Sequence, residues 1–134
     1  MKRAVATVTA LGGQATAEFV VATLPGVPLP SEAGGILLSH VVIDGFINYT
    51  PGTAATLVTV RVRRNSLVGT LVGVAQQVTV ASGPAVVAIP VSADDPIVQT
   101  TPPTLPGQVY VVTLQQNITP AGTVNYAVIT ATTS

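Results

Sequence analysis

Hydrophobic and polar residues alternate with a period of two along most of this chain, and no segment shows the period of an amphipathic helix. The alternation is clearest in segment 57–63, where the valines share one face and a threonine and the arginines share the other. Because successive strand residues point to opposite faces of a sheet, this segment predicts a strand whose valines line a core.

Turn signals rich in glycine, proline and aspartate divide the chain into short β-prone segments. Evenly spaced short strands are typical of sandwiches and barrels, and a jelly roll has eight of them. We therefore predict an all-β, single-domain jelly-roll β-sandwich of about eight antiparallel strands over residues 1–134, with residues 1–13 as a candidate N-terminal arm. The third strand is expected to bend or bulge at Gly45. The predicted strands are 3–10, 15–24, 36–50, 54–64, 70–80, 85–92, 108–116 and 123–132.

The last predicted strand is apolar on both of its faces. Either one face packs on the core and the other forms an interface, or the strand is central and covered on both sides. The two faces are Val124, Tyr126 and Val128 against Asn125, Ala127 and Ile129.

The 134 residues suffice for one domain with a single core. Only 7% of them are charged, the net charge is zero, and no charge follows Asp95. Ordinary soluble domains carry about 25% charged residues. Such a chain either presents a surface of Thr, Gln and Asn or buries much of its surface against partners, and we favour burial against partners. The high apolar content also excludes intrinsic disorder.

Neither a targeting segment nor a membrane span is predicted. Lys2 and Arg3 precede a segment that faintly resembles a secretion signal, but threonines interrupt its apolar run. The uncharged segment 67–93 is long enough to cross a membrane, yet it alternates and contains Gln76 and Pro84. We therefore expect no membrane partner.

Residues that carry enzyme chemistry are scarce. Cysteine is absent, and the single histidine, His40, lies within a predicted strand, where it is expected to be packed or solvent-facing. Asp94 and Asp95 precede Pro96 and fit a turn with an Asx hydrogen bond, with a calcium site as the alternative. No serine lies in a nucleophile-elbow motif. We therefore predict a protein that is not an enzyme, with no catalytic residue, cofactor or metal.

The densest basic cluster is Arg61, Arg63 and Arg64. Clustered arginines can bind phosphates, but the net charge is zero and no aromatic residues are interleaved, so we expect no nucleic acid. The planar guanidinium suits carboxylate pairs. We therefore predict pairing with Glu18 or Asp44, within the fold or across an interface.

Two proline-rich segments, 24–35 and 100–107, are predicted to be stiff loops. They are either plain connections or docking loops, because a stiff loop loses less entropy when it binds a partner. Together with the arginine cluster they supply the candidate interface residues. These are Arg61, Arg63, Arg64, Pro28, Pro30 and Pro103.

Segment 49–64 contains a turn followed by the pattern T-x-V-T-V-R-x-R-R, and segment 69–73 has the pattern G-T-x-x-G. Two later segments, 110–114 and 122–127, contribute to the same likeness. In this respect residues 41–132 resemble small phage virion proteins with a jelly-roll fold related to tumour-necrosis-factor-like trimers. The resemblance implies a homotrimer that decorates or stabilises a capsid, or caps a fibre. It implies no catalytic residues.

We therefore hypothesise a virion structural protein, a capsid decoration or minor capsid protein, that acts by self-assembly and by binding a major capsid or other virion protein. It would lie at the capsid surface. The alternatives are a trimeric fibre-tip or a carbohydrate- or receptor-binding module, a small single jelly-roll major capsid protein, and an enzyme. Clustering of Tyr49, Tyr110 and Tyr126 on one outer face would favour carbohydrate binding.

Overall fold

The computed structural model describes residues 2–13, 16–27, 37–83, 85–99, 108–118 and 122–133, and these form eight β-strands and no helix. Each predicted strand is present, and the sixth continues to Gln99 instead of ending at residue 92. The strands are β1 (Lys2–Gly13), β2 (Phe19–Val27), β3 (Leu37–Thr50), β4 (Thr56–Arg64), β5 (Leu71–Val80), β6 (Val87–Gln99), β7 (Gln108–Gln116) and β8 (Thr123–Thr133).

The strands form two four-stranded antiparallel sheets, sheet A in the order β1-β8-β3-β6 and sheet B in the order β2-β7-β4-β5. The first half of the chain pairs with the second half as one long ribbon, β1 with β8, β2 with β7, β3 with β6 and β4 with β5. The ribbon wraps so that β3 also meets β8 and β4 meets β7. This strand order is that of a jelly roll, and the predicted fold class is confirmed.

The N-terminal segment pairs with its own chain. Residues from Lys2 to Gly13 pair with β8, with a register shift between Thr9 and Gly12. The segment predicted as a candidate N-terminal arm is therefore a strand of the sandwich over Lys2–Gly13. The segment is an edge strand of sheet A, because its β-branched residues complete the sheet beside β8.

The core lies between the two sheets and is almost wholly aliphatic. Val58, Val60 and Val62 of β4 are buried, while Arg61 and Arg63 lie on the outer face, as their alternation predicted. The largest fully buried side chains are Tyr49, Tyr110, Leu24, Ile43, Ile47, Ile89, Leu114, Ile129, Gln116, Val21 and Val41.

A bulge in β8 changes which of its residues share a face. Asn48 lies opposite Tyr126 but the next residue, Tyr49, lies opposite Val124, so Asn125 is an extra residue on β8. An extra residue reverses the alternation beyond it. Val124 is therefore buried, whereas Tyr126 points outward and is 37% exposed.

Gly45 lies at the centre of sheet A, between β6 and β8. Its pairing with Val91 and Ile129 is continuous, so the expected bulge at this position is wrong, and the nearest shift in β3 is at Asn48 and Tyr49. The glycine is needed for another reason. A Cβ here would lie 2.0 Å from the Val128 carbonyl oxygen, and φ is +155°.

Candidate functional site

The arginine cluster is divided between the two faces of β4. Arg61 and Arg63 lie on the outer face of sheet B and share the Glu18 carboxylate. Arg61 Nη1 donates to Glu18 Oε1 at 2.9 Å, while Arg63 Nε and Nη2 donate to Oε2 and Oε1 at 2.7 and 3.0 Å. The predicted pairing with Glu18 is confirmed, and it forms within one chain.

Further hydrogen bonds fix both guanidinium groups. Arg61 Nη1 also donates to Gln115 Oε1 at 2.8 Å, and Arg63 Nη1 donates to the Gly69 carbonyl at 3.0 Å. The network lies over β7, where Thr113 is fully buried although it faces outward. The hydrogen bond from Arg63, opposed by burial, lowers the pKa of Glu18 below its usual range.

We expect Glu18→Gln to lower the free energy of unfolding at neutral pH by about 1–2 kcal/mol, because it removes a charge-assisted, doubly paired acceptor. A lowered folded pKa stabilises the protein above the unfolded value and loses that contribution as pH falls through the folded pKa. Urea unfolding of both proteins between pH 7 and pH 2 checks this. The difference should be constant above about pH 5 and shrink below it; a constant difference down to pH 2 would contradict the assignment.

Arg64 points the opposite way and ties the two sheets together. Its Nε donates to Asp95 Oδ2 at 2.9 Å, and its Nη2 donates to Asp95 Oδ1. The Tyr110 hydroxyl donates to the same carboxylate at 2.7 Å. Asp95 is 3% exposed and belongs to β6 of sheet A, whereas Arg64 and Tyr110 are cross-strand neighbours in sheet B. Burial, together with the hydrogen bond to Asp95, raises the pKa of Tyr110 far above its usual range.

The predicted turn at Asp94 and Asp95 is wrong, because both residues continue β6 opposite Val42 and Val41 of β3. Adjacent strand residues point to opposite faces. Asp95 is buried, whereas Asp94 is exposed and lies 3.1 Å from His40 Nδ1. The two carboxylates therefore do not converge on one calcium ion. The described ranges hold no group of three or more potential metal ligands.

A second polar cluster joins the sheets at the other end of the sandwich. The Tyr49 hydroxyl of β3 donates to Gln116 Oε1 of β7, and the Gly122 amide donates to the same oxygen at 2.9 Å. Nothing in the local sequence marked this contact. Tyr49 and Tyr110 are both buried and only Tyr126 is exposed, so the tyrosine clustering that would favour carbohydrate binding does not occur.

The outer face of sheet A carries an aromatic pair on its two central strands. Phe46 of β3 and Tyr126 of β8 pack edge to face, with ring centroids 6.0 Å apart. Val128, the cross-strand neighbour of Phe46, is also only partly buried on this face. Asn48 Nδ2 donates to the Tyr126 hydroxyl at 3.4 Å, and Asp44 is exposed beside the patch. Apolar side chains thus occupy the middle of this face.

The remaining candidate residues have different outcomes. Asp44, the other carboxylate proposed for the arginines, is exposed and forms no ion pair with the side chains that the structure describes. Pro28, Pro30 and Pro103 lie outside the described residues. The interface role of the three arginines stays a prediction, and each of them has an intrachain partner.

One cavity of about 240 Å³ lies on sheet B beside the arginine network. Two of its amide side chains are hydrogen-bonded, whereas the buried Gln116 Nε2 has no partner among the described residues. Gln115 Nε2 donates to the Thr16 carbonyl at 3.2 Å, and Asn117 Oδ1 accepts from the Leu57 amide at 2.8 Å. None of the residues that line the cavity is charged. Its lining is Thr16, Leu57, Thr59, Gln115, Gln116 and Asn117.

Comparison with known proteins gives no relative from which residue roles could be transferred. No protein-family model matches the chain, and no curated protein sequence matches it. Across the described part of the chain, no helix has the length and apolar character needed to span a membrane.

Proposed function

We propose that this protein is a virion structural protein, a capsid decoration or minor capsid protein that assembles as a homotrimer and binds a shell at its surface. The jelly-roll strand order supports the proposal, because it is the fold that the sequence resemblance implies. The fold alone hosts many functions, so the proposal depends on the surface of this chain.

The proposal depends mainly on the positions and partners of the few charged residues. Glu18, Arg61, Arg63, Arg64 and Asp95 are all engaged in ion pairs within one chain. These are half of the five acidic and five basic residues in the sequence. Solubility of a free monomer normally depends on exposed charge. A chain that pairs its charges internally is suited to bury its neutral surface against neighbouring subunits.

The outer face of sheet A is the surface we assign to the subunit contact. Its Phe46–Tyr126 pair lies at the centre of a sheet face, and aromatic residues are enriched in the buried centres of interfaces. Asp44 would lie at the polar rim of such a contact. Closed symmetry would cover this face in every copy, and many copies bound to one shell would add their affinities.

We expect Tyr126→Lys to dissociate the oligomer at concentrations where the wild type remains associated, because it places a charge in the apolar contact. The dissociation constant should rise at least about 100-fold, the cost typical of an interface hot spot. Light scattering across a dilution series measures this. Thr23→Lys, which adds the same charge to an exposed position on β2 of sheet B, is the matched control and should leave the mass unchanged.

The outcomes are distinct. A wild-type trimer that only Tyr126→Lys dissociates supports the proposal. A wild type that is monomeric at every concentration, with no binding to a capsid shell, contradicts it. A trimer that Tyr126→Lys leaves intact shows that subunits meet on another face.

A further inference from the structure

The edge of β5 has fewer protecting residues than the other sheet edges of the described strands. A sheet edge exposes unpaired backbone donors and acceptors, and natural proteins protect such edges with charges, prolines or bulges. The four edge strands differ in this respect. β1 contains Lys2 and Arg3, β2 contains Pro25, and β6 contains Pro90 and Pro96, whereas β5 contains neither a proline nor a charged residue.

β5 is protected over only part of its length. A register shift leaves Gly73, Val74 and Ala75 opposite the single residue Arg61, so β5 bulges there and Val74 is 82% exposed. From Gln76 to Val80 the pairing with β4 is regular. Gln77 and Thr79 in that stretch are exposed on the outer face of sheet B. This stretch therefore presents an edge of regular register to which no other strand described in the structure pairs.

The β6 edge beside it is protected. Besides its prolines, the Ser92 amide of β6 donates to Gln76 Oε1 of β5 at 3.3 Å. This contact occupies a backbone donor that an incoming strand could otherwise use. Of the two neighbouring edges on this side of the sandwich, β5 is the one suited to accept a strand.

We propose that the β5 edge from Gln76 to Val80 pairs antiparallel with the same edge of a second copy, with the exposed Val74 packing beside the joint. This rests on the proposed function, because it supplies a second contact between copies of a self-assembling protein. The charge distribution favours a second copy as the occupant. No charged residue lies between Arg64 and Asp94, so two such edges meet without like-charge repulsion and leave no charge unpaired. The contact is isologous, and in closed dihedral symmetry it doubles the oligomer that sheet A forms.

The test uses charge-swapped edges. The double variant Gln77→Lys/Thr79→Lys places like charges on both strands of the joint, as does Gln77→Glu/Thr79→Glu. Each should weaken the mass-doubling step seen by light scattering by about tenfold or more. An equimolar mixture of the two should restore it, because opposite charges then face each other. Unfolding midpoints should stay near that of the wild type, since both side chains point to solvent.

Val74→Lys tests the same joint at a second position and should weaken the same step, while Thr23→Lys on the opposite edge of sheet B should not. Persistence of doubling in both double variants overturns the β5 contact and leaves the sheet A contact to be judged by Tyr126→Lys. Loss of doubling without restoration in the mixture overturns self-pairing. A wild type that shows no doubling at any concentration also overturns it.

Discussion

Gly45→Ala is expected to destabilise the fold by about 3–4 kcal/mol, a large share of the stability of a small domain. The new Cβ would lie 2.0 Å from the Val128 carbonyl oxygen and 2.9 Å from the Ile129 Cα, both backbone atoms of β8. The φ of +155° adds strain for any residue with a side chain. Backbone in the middle of a four-stranded sheet cannot move aside without breaking its pairing, so most of the clash remains.

Urea unfolding of the wild type and the variant measures this loss. Gly73→Ala is the matched control, because Gly73 also has a positive φ, of +67°, but nothing lies within 4 Å of its added Cβ. That control should cost about 1 kcal/mol through backbone strain alone. Equal losses in the two variants would show that the close approach to Val128 does not determine the effect.

Asp95→Asn is expected to lower the free energy of unfolding by about 2–3 kcal/mol. The substitution keeps the size of the side chain but removes the charge that accepts from Arg64 and from the Tyr110 hydroxyl. Tyr110 is fully buried, so its hydroxyl is left without a strong acceptor. The Arg64 side chain is 38% exposed and can reach water, which keeps the cost below the roughly 3–5 kcal/mol of breaking a fully buried pair.

The matched control is Asp44→Asn, which neutralises an exposed carboxylate on the neighbouring strand and should change stability by less than about 0.5 kcal/mol. Unfolding at neutral pH compares the two. A Tyr110→Phe variant completes the design, since its effect should be much smaller in the Asp95→Asn background than in the wild type. Additive losses would mean that the two side chains do not act as one cluster.

Both predictions concern contacts between strands that are distant in the sequence. Gly45 meets β8, and Asp95 of sheet A meets Arg64 and Tyr110 of sheet B. The same holds for Tyr49 and Gln116 at the other end of the sandwich. The polar contacts of Asp95 and of Tyr49 join the two sheets and fix how the sheets face each other. An aliphatic core of interchangeable valines specifies that orientation less sharply.

The sequence by itself determined the strands, the class of fold and the inward face of β4, because the period-two alternation and the turn residues are local properties. It also named Glu18 as one of two candidate partners for the arginines of β4, since carboxylates are few in this chain. It could not distinguish Glu18 from Asp44, because that choice depends on which strand lies beside β7.

The tertiary structure alone decided the rest. The Asp94–Asp95–Pro96 segment looks like a turn locally, yet pairing with β3 holds it as a strand and turns Asp95 into the interior. The extra residue in β8 turns Val124 inward, away from the outer face of Tyr126 and Val128, contrary to a simple alternation. Both outcomes follow from the wrapping of the long ribbon, which sets the partner and register of each residue. Partner and register join positions far apart in the chain, and local patterns of side chains do not contain that information.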